Sequence, residues 1–108
     1  MITSTEFKED VLTLAKEVGV EPREIHIRTM KRKWGSCSSK GRLTFNKMLL
    51  NESKEVRFKV ILHELLHLKY PNHGKMFNSL LTTYLKKNIG TGDYGEIKDQ
   101  QTPKGKGD

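Results

Sequence analysis

The chain has 108 residues, which is the length of one domain with a modest core. Its 20 lysines and arginines outnumber its 13 aspartates and glutamates, and the formal net charge of +7 favours acidic partners without establishing nucleic acid as one. The single cysteine, Cys37, excludes an intramolecular disulfide framework and favours a reducing compartment.

The N-terminus and the apolar segments predict a soluble chain. The segment MITSTEFKEDV has no basic stretch followed by an apolar run, so a signal peptide is not expected. The longest apolar segment, VILHELLHL, is interrupted by His63, Glu64 and His67 and is far shorter than the roughly 18 residues of a membrane span. We therefore expect a cytoplasmic protein without membrane contact.

The first predicted element is an amphipathic helix over residues 4–18. Thr3 and Glu6 fit a capping box at its start, and Gly19 is suited to its C-terminal end. Its apolar stripe recurs at i, i+4, i+7 and i+11 and consists of Phe7, Val11, Leu14 and Val18.

Three short strands are expected next. Apolar and polar residues alternate in 24–30 and in 42–46, which predicts two half-buried strands. Residues 33–38 are expected to form another strand, joined to 42–46 as a hairpin by the turn 39–41. The strand over 42–46, which contains Leu43, Thr44 and Phe45, is a candidate edge strand for binding an extended peptide.

Two helices are predicted in the second half of the chain. One runs from residue 51 or 53 to about residue 69, because Pro71 disfavours a helical residue before it. The other has Asn72 as its predicted N-cap, runs to about residue 87 and ends at Gly90.

The stretch HELLH places three chemically active side chains on the first of these two helices. His63 and His67 are four residues apart, so they lie on one helical face and their imidazoles can bind one metal ion. Glu64 is offset around the helix, where it can reach a water without being forced to ligate. This is the HExxH pattern of metallopeptidases, in which the metal acidifies a water and the glutamate is the general base.

A tight zinc site needs a third protein ligand. His73 is the favoured candidate, because Pro71 and Asn72 would turn the chain back towards the helix; His26, on a distant strand, is the alternative. Three histidines leave one coordination position open, as in catalytic zinc sites. One Zn²⁺ per chain is the resulting expectation.

The alternative is a buried amphipathic helix that merely contains polar residues. Placing two histidines and a glutamate beside Val56 and Val60 would cost such a helix several kcal/mol if they were unpaired. The metal site is therefore the better explanation. The helix would dock through the leucines between the polar residues, namely Leu62, Leu65, Leu66 and Leu68.

Residues 20–90 resemble a known group of enzymes. The motifs WGSC, GRLTFN and HELLHLKYPNHGKMF are similar to those of minigluzincins, which are small soluble zinc peptidases, and of the wider SprT-like and WLM metallopeptidases. The resemblance implies a compact α/β (α+β) zincin-like domain over residues 1–90. In it a small sheet of about three strands packs on the HExxH helix, with two further helices.

The same resemblance implies the roles of the site residues. His63, His67 and His73 would bind zinc, and Glu64 would be the general base of a metalloendopeptidase that cleaves peptides or unfolded proteins. A donor for the oxyanion is also needed. Tyr70 and Asn72 are the first candidates, and Tyr84 and Tyr94 are also chemically possible.

Residues 91–108 have the composition of a flexible C-terminal tail, with four glycines and few apolar residues. The resemblance suggests latency through a C-terminal segment that blocks the cleft, and self-association through this segment is an alternative to a monomer. A disordered tail without an inhibitory role is the alternative. The residues suited to inhibition are Asp93, Tyr94, Glu96 and Asp99.

Two other functional hypotheses remain open. The basic stretch around the predicted hairpin would suit phosphate contacts, so a DNA-associated SprT-like protease is the runner-up. A catalytically silent zinc-binding domain is the other, although Glu64 argues against it.

We expect Trp34 to anchor the core, Gly35 to allow close packing, and Cys37 to be a small buried residue rather than a ligand or redox switch.

Overall fold

The computed structural model describes residues 1–90, and the predicted tail lies outside them. Three α-helices, a three-stranded sheet and one short 3₁₀ helix make up this part of the chain. In chain order they are α1 (Ser4–Val18), β1 (Glu24–Arg28), β2 (Gly35–Cys37), β3 (Arg42–Asn46), the 3₁₀ helix (Lys47–Asn51), α2 (Lys54–Leu66) and α3 (Lys75–Asn88). The predicted α+β class is confirmed.

Helix α1 has the predicted bounds and both predicted ends. The Thr3 side chain accepts a hydrogen bond from the Glu6 amide, and the Glu6 side chain accepts one from the Thr3 amide. The hydrogen bond from the Thr3 backbone amide, followed by one with the Thr3 side chain, holds the pKa of the Glu6 carboxyl below its usual range. Gly19 ends the helix at φ 85°, a left-handed conformation that favours glycine.

The sheet has the order β1-β3-β2. Strands β2 and β3 are antiparallel, which confirms the hairpin, whereas β1 and β3 are parallel, which the local pattern did not predict. Strand β3 is therefore central, and the prediction that Leu43, Thr44 and Phe45 form a peptide-binding edge is wrong. The sheet edge next to α2 is β2. Strands β1 and β2 are also shorter than 24–30 and 33–38.

The core lies between one face of the sheet and the helices. The rings of Phe7 and Phe45 meet edge to face at 5.1 Å, which ties α1 to the central strand. Trp34 is buried, as predicted. The opposite face of β1 is exposed at Glu24, His26 and Arg28, so helices cover the sheet on one side.

Asn46 fixes the connection between the sheet and the helices. Its side chain is 1 % exposed, and its Nδ2 donates to the carbonyls of Met30 and Lys33, each at 2.9 Å. Its Oδ1 accepts from the Met48 amide at 3.0 Å, which begins the 3₁₀ helix. One buried amide thus holds the basic loop before β2 and the segment that leads into α2.

The two C-terminal helices differ from their predicted bounds. Helix α2 has Ser53, one of the two predicted starting residues, as its N-cap. It ends at Leu66, because the amides of Leu68 and Lys69 bond to carbonyls three residues back and tighten the turn. Helix α3 has Gly74, not Asn72, as its N-cap. None of the helices within residues 1–90 is long and apolar enough to cross a bilayer.

Candidate metal centre

Three imidazoles converge where α2 ends. His63, His67 and His73 each contribute one ring nitrogen to a cluster in which all three atoms lie within 4.8 Å of one another. Burial is graded across the cluster, from the buried His63 through the half-buried His67 to the exposed His73. The centre thus has an enclosed inner side and a side that opens to solvent.

The last turn of α2 sets the spacing of the first two histidines. The His67 amide donates to the His63 carbonyl at 3.3 Å, so the i, i+4 relation persists although the regular helix ends one residue earlier. The two rings lie 4.8 Å apart at their centroids. HExxH therefore places both side chains on one helical face, as the sequence predicted.

The early end of α2 brings the third histidine back. The Tyr70 amide donates to the Leu66 carbonyl at 2.7 Å, and the chain then bends through residues 71–73. His73 precedes the first turn of α3, and Asn78 Nδ2 lies 3.4 Å from its carbonyl oxygen. The structure thus places His73 beside His63 and His67, where the sequence predicted it.

One hydrogen bond selects the tautomer of His67. Its Nδ1 lies 3.2 Å from the carbonyl oxygen of Tyr70, and a carbonyl only accepts, so Nδ1 carries the proton in this contact. Nε2 then has the lone pair and faces Nε2 of His73 at 2.9 Å. A backbone partner behind a ring nitrogen is typical of metal-ligating histidines.

Phe77 forms an apolar wall common to all three imidazoles. Its ring centroid lies 5.2 Å from that of His63 and 4.9 Å from those of His67 and His73. Phe77 is 1 % exposed. The sequence indicated Phe77 only as part of the apolar stripe of the third predicted helix, together with Leu81 and Leu85. Its ring restricts the rotation of the imidazoles.

The spacing and the donor set fit one metal ion. Two nitrogens bound at about 2.0–2.1 Å to a tetrahedral ion are about 3.3 Å apart. The His67–His73 pair is near this value, and the upper limit of 4.8 Å for the cluster exceeds it by about 1.5 Å. Three imidazoles are a donor set that suits zinc among other transition metals.

Glu64 lies beside the cluster but is not part of it. It is 1 % exposed, on the face of α2 that packs on β2, and its Cγ lies near the backbone of Gly35. The sequence placed Glu64 next to the ligand pair and offset around the helix. The structure has this arrangement, with the side chain held between α2 and the sheet.

The candidates for oxyanion stabilisation lie in different places. Tyr70 and Asn72 line a shallow cavity of about 260 Å³ at the start of α3, together with Pro71, Gly74, Lys75, Met76 and Phe77. Tyr84 packs against the core on α3, where its carbonyl accepts from Asn88. Tyr94 and the other predicted tail residues, Asp93, Glu96 and Asp99, lie outside the described residues.

The remaining candidates lie away from the centre. His26 bonds to Glu24 at 2.7 Å on β1 and is not in the cluster, so it is not the third member. Cys37 is half-buried against the core. Arg23, Lys40 and Arg42 line a cavity of about 530 Å³, but Glu24 also lines it and lies 3.4 Å from the Arg42 guanidinium.

The fold and the histidine cluster define a metallopeptidase domain. The profile of the YgjP-like metallopeptidase domain matches residues 2–88, and the chain belongs to this family. An uncharacterised protein of Methanocaldococcus jannaschii is 36 % identical over 92 residues, which are 77 % of this chain and 84 % of that protein.

Two solved structures share the fold. The metallopeptidase zymogen jannalysin of Methanocaldococcus jannaschii is 28 % identical with a TM-score of 0.61, over 78 % of this chain and 83 % of its own. The zymogen abylysin of Pyrococcus abyssi is 26 % identical with a TM-score of 0.56, over 75 % of this chain and 93 % of its own. The expected resemblance to minigluzincins is confirmed.

Replacing His73 tests the composition of the centre. We expect His73→Ala to weaken zinc binding by more than about 100-fold, because two imidazoles remain where the cluster has three. His26→Ala is the matched control and should bind zinc as the wild type does. Calorimetric titration of the metal-free full chain with zinc measures both. The opposite ranking would contradict the assignment of His73.

Proposed function

We propose that this metallopeptidase is a zinc-dependent endopeptidase with Glu64 as its general base. The observation that carries the proposal is the convergence of three imidazole nitrogens within 4.8 Å beside a buried glutamate. His63, His67 and His73 would hold one Zn²⁺. Bound there, the ion would acidify a water and polarise the peptide carbonyl.

Each residue of the centre has a distinct task in this proposal. Nε2 of His67 is available for the metal because Nδ1 donates to the Tyr70 carbonyl. Glu64 takes the proton of the attacking water and delivers it to the leaving amine. Its position outside the ligand cluster supports proton transfer rather than ligation.

The substrate is proposed to be an extended peptide or a segment of unfolded protein. Strand β2 forms the sheet edge that packs on α2, and its first residue lies next to the side chain of Glu64. An extended peptide alongside such a strand is recognised mainly through its backbone, which gives affinity with little sequence preference. Tyr70 and Asn72 remain the proposed donors to the oxyanion.

Latency is the second part of the proposal. The two solved neighbours are zymogens, and residues 91–108 include Asp93, Glu96 and Asp99, whose carboxylates could displace a metal-bound water. Helix α3 has 14 residues and is about 21 Å long. The 18 residues after Gly90 could span more than about 50 Å if extended, which is sufficient to return to the centre.

Replacing Glu64 separates metal binding from catalysis. We expect Glu64→Gln to bind one zinc per chain and to cleave casein at least about 100-fold more slowly, because the amide cannot accept the proton of the water. Glu55→Gln, at an exposed position of the same helix, should cleave like the wild type. Metal analysis and casein cleavage are measured in the full chain and in a chain ending at Gly90. Wild-type cleavage by zinc-loaded Glu64→Gln would contradict the proposal.

Changing the tail charges tests latency at constant length. Replacing Asp93, Glu96 and Asp99 together by the corresponding amides should raise the rate of casein cleavage towards that of a chain ending at Gly90. Replacing the basic tail residues Lys104 and Lys106 by glutamine is the control and should leave the rate unchanged. Equal cleavage by the full and shortened chains would contradict an inhibitory tail.

A further inference from the structure

Gly35 begins β2 and lies against the side chain of Glu64. A methyl group on Gly35 would be 3.2 Å from Cγ of Glu64, 3.2 Å from the carbonyl oxygen of Thr44 and 3.3 Å from Cγ1 of Val60. All three separations are shorter than ordinary van der Waals contact. Any side chain at this position must therefore displace a neighbour.

Space, rather than backbone conformation, is the reason for glycine at this position. Gly19, Gly41 and Gly90 have positive φ angles, whereas Gly35 does not. Around Gly74 there is no atom within 4 Å of an added methyl group. Among the glycines of residues 1–90, Gly35 is thus the one whose missing side chain leaves room for Glu64.

The neighbours of Gly35 differ in how easily they can move. The Thr44 carbonyl belongs to the central strand, which pairs with strands on both sides. Val60 is 2 % exposed and packed in the core. Glu64 is the longest and most flexible of the three groups, since it has rotatable bonds on both sides of Cγ. An added methyl group would therefore act mainly on Glu64.

We propose that Gly35 is a positioning residue for Glu64. The absence of a side chain at Gly35 leaves the space in which the Glu64 carboxylate is held within reach of the attacking water. This inference rests on the proposed role of Glu64 as the general base. Proton transfer requires separations of about 2.6–3.2 Å, so a shift of even a few tenths of an ångström, which the added methyl group would demand, lowers the rate.

The metal ligands are separate from this contact. None of the three atoms near an added methyl group belongs to His63, His67 or His73. A change at Gly35 is therefore expected to alter catalysis without altering metal binding. This separation distinguishes positioning of Glu64 from a general disturbance of the centre.

The kinetic test compares two alanine variants of the full chain. Gly35→Ala should bind one zinc per chain and show kcat for casein lowered about 3-fold to 10-fold, with KM nearly unchanged. Ser39→Ala, at an exposed position in the turn between β2 and β3, should keep the wild-type kcat. Wild-type kcat in Gly35→Ala, or a parallel loss of zinc, would overturn the inference.

A second test needs no peptidase activity. Tm is measured with saturating zinc for the wild type, Gly35→Ala, Glu64→Ala and the double variant. A steric contact with Cγ predicts that Gly35→Ala lowers Tm by about 4 °C or more in the wild type. It should lower Tm measurably less in the Glu64→Ala background, where Cγ is absent and only the contacts with Thr44 and Val60 remain.

Equal Tm shifts in the two backgrounds would overturn the contact. If Gly35→Ala alone fails to fold, the contact requires that the double variant folds, and an unfolded double variant would overturn it. A wild-type chain that cleaves no peptide would contradict the proposed function, whereas the Tm cycle would still test the contact between Gly35 and Glu64.

Discussion

The convergence of three imidazoles on one point is the constraint on which the centre depends. Two of them come from the last turn of α2, and the third returns only because regular helix stops at Leu66. A helix continued to residue 69 would carry the chain about 4–5 Å further along its axis before it could turn. The tight turn through Tyr70 therefore does more than connect two helices. It brings His73 to the cluster and supplies the carbonyl that orients His67.

Helix α2 combines the core with the chemistry. Leu62, Leu65 and Leu66 are fully buried, while His63 and Glu64 between them are equally inaccessible. Burying polar groups at such depth costs free energy unless they have partners. Two residues on other elements pack against this helix. Phe77 on α3 places its ring against the imidazoles, and Gly35 on β2 leaves space for Glu64.

Local patterns predicted much of the fold and the residues that converge at the centre. The bounds of α1, its capping box, the β2–β3 hairpin and the three histidines follow from spacings within short segments. The parallel pairing of β1 with β3 was not predictable in this way, because it joins residues about 18 positions apart without a hairpin turn. The central position of β3 depends on that pairing, and so did the error about the sheet edge.

The details that shape the centre were also beyond local patterns. Pro71 indicated the last position at which the helix could end. It did not indicate that hydrogen bonds to carbonyls three residues back would end α2 earlier. Phe77 appeared as one apolar residue in an amphipathic stripe, and only the packing of α3 against α2 brings its ring to all three histidines. Gly35 was expected to allow close packing, but the sequence did not reveal that its neighbour is Glu64.

X-ray absorption at the zinc edge, on the full chain loaded with one equivalent of zinc, tests the central claim most directly. The proposed centre predicts three nitrogen scatterers with imidazole signatures at about 2.0–2.1 Å and one further oxygen donor. A sulfur scatterer at about 2.3 Å, which only Cys37 or a methionine could supply, would contradict it. So would a shell with only two imidazoles.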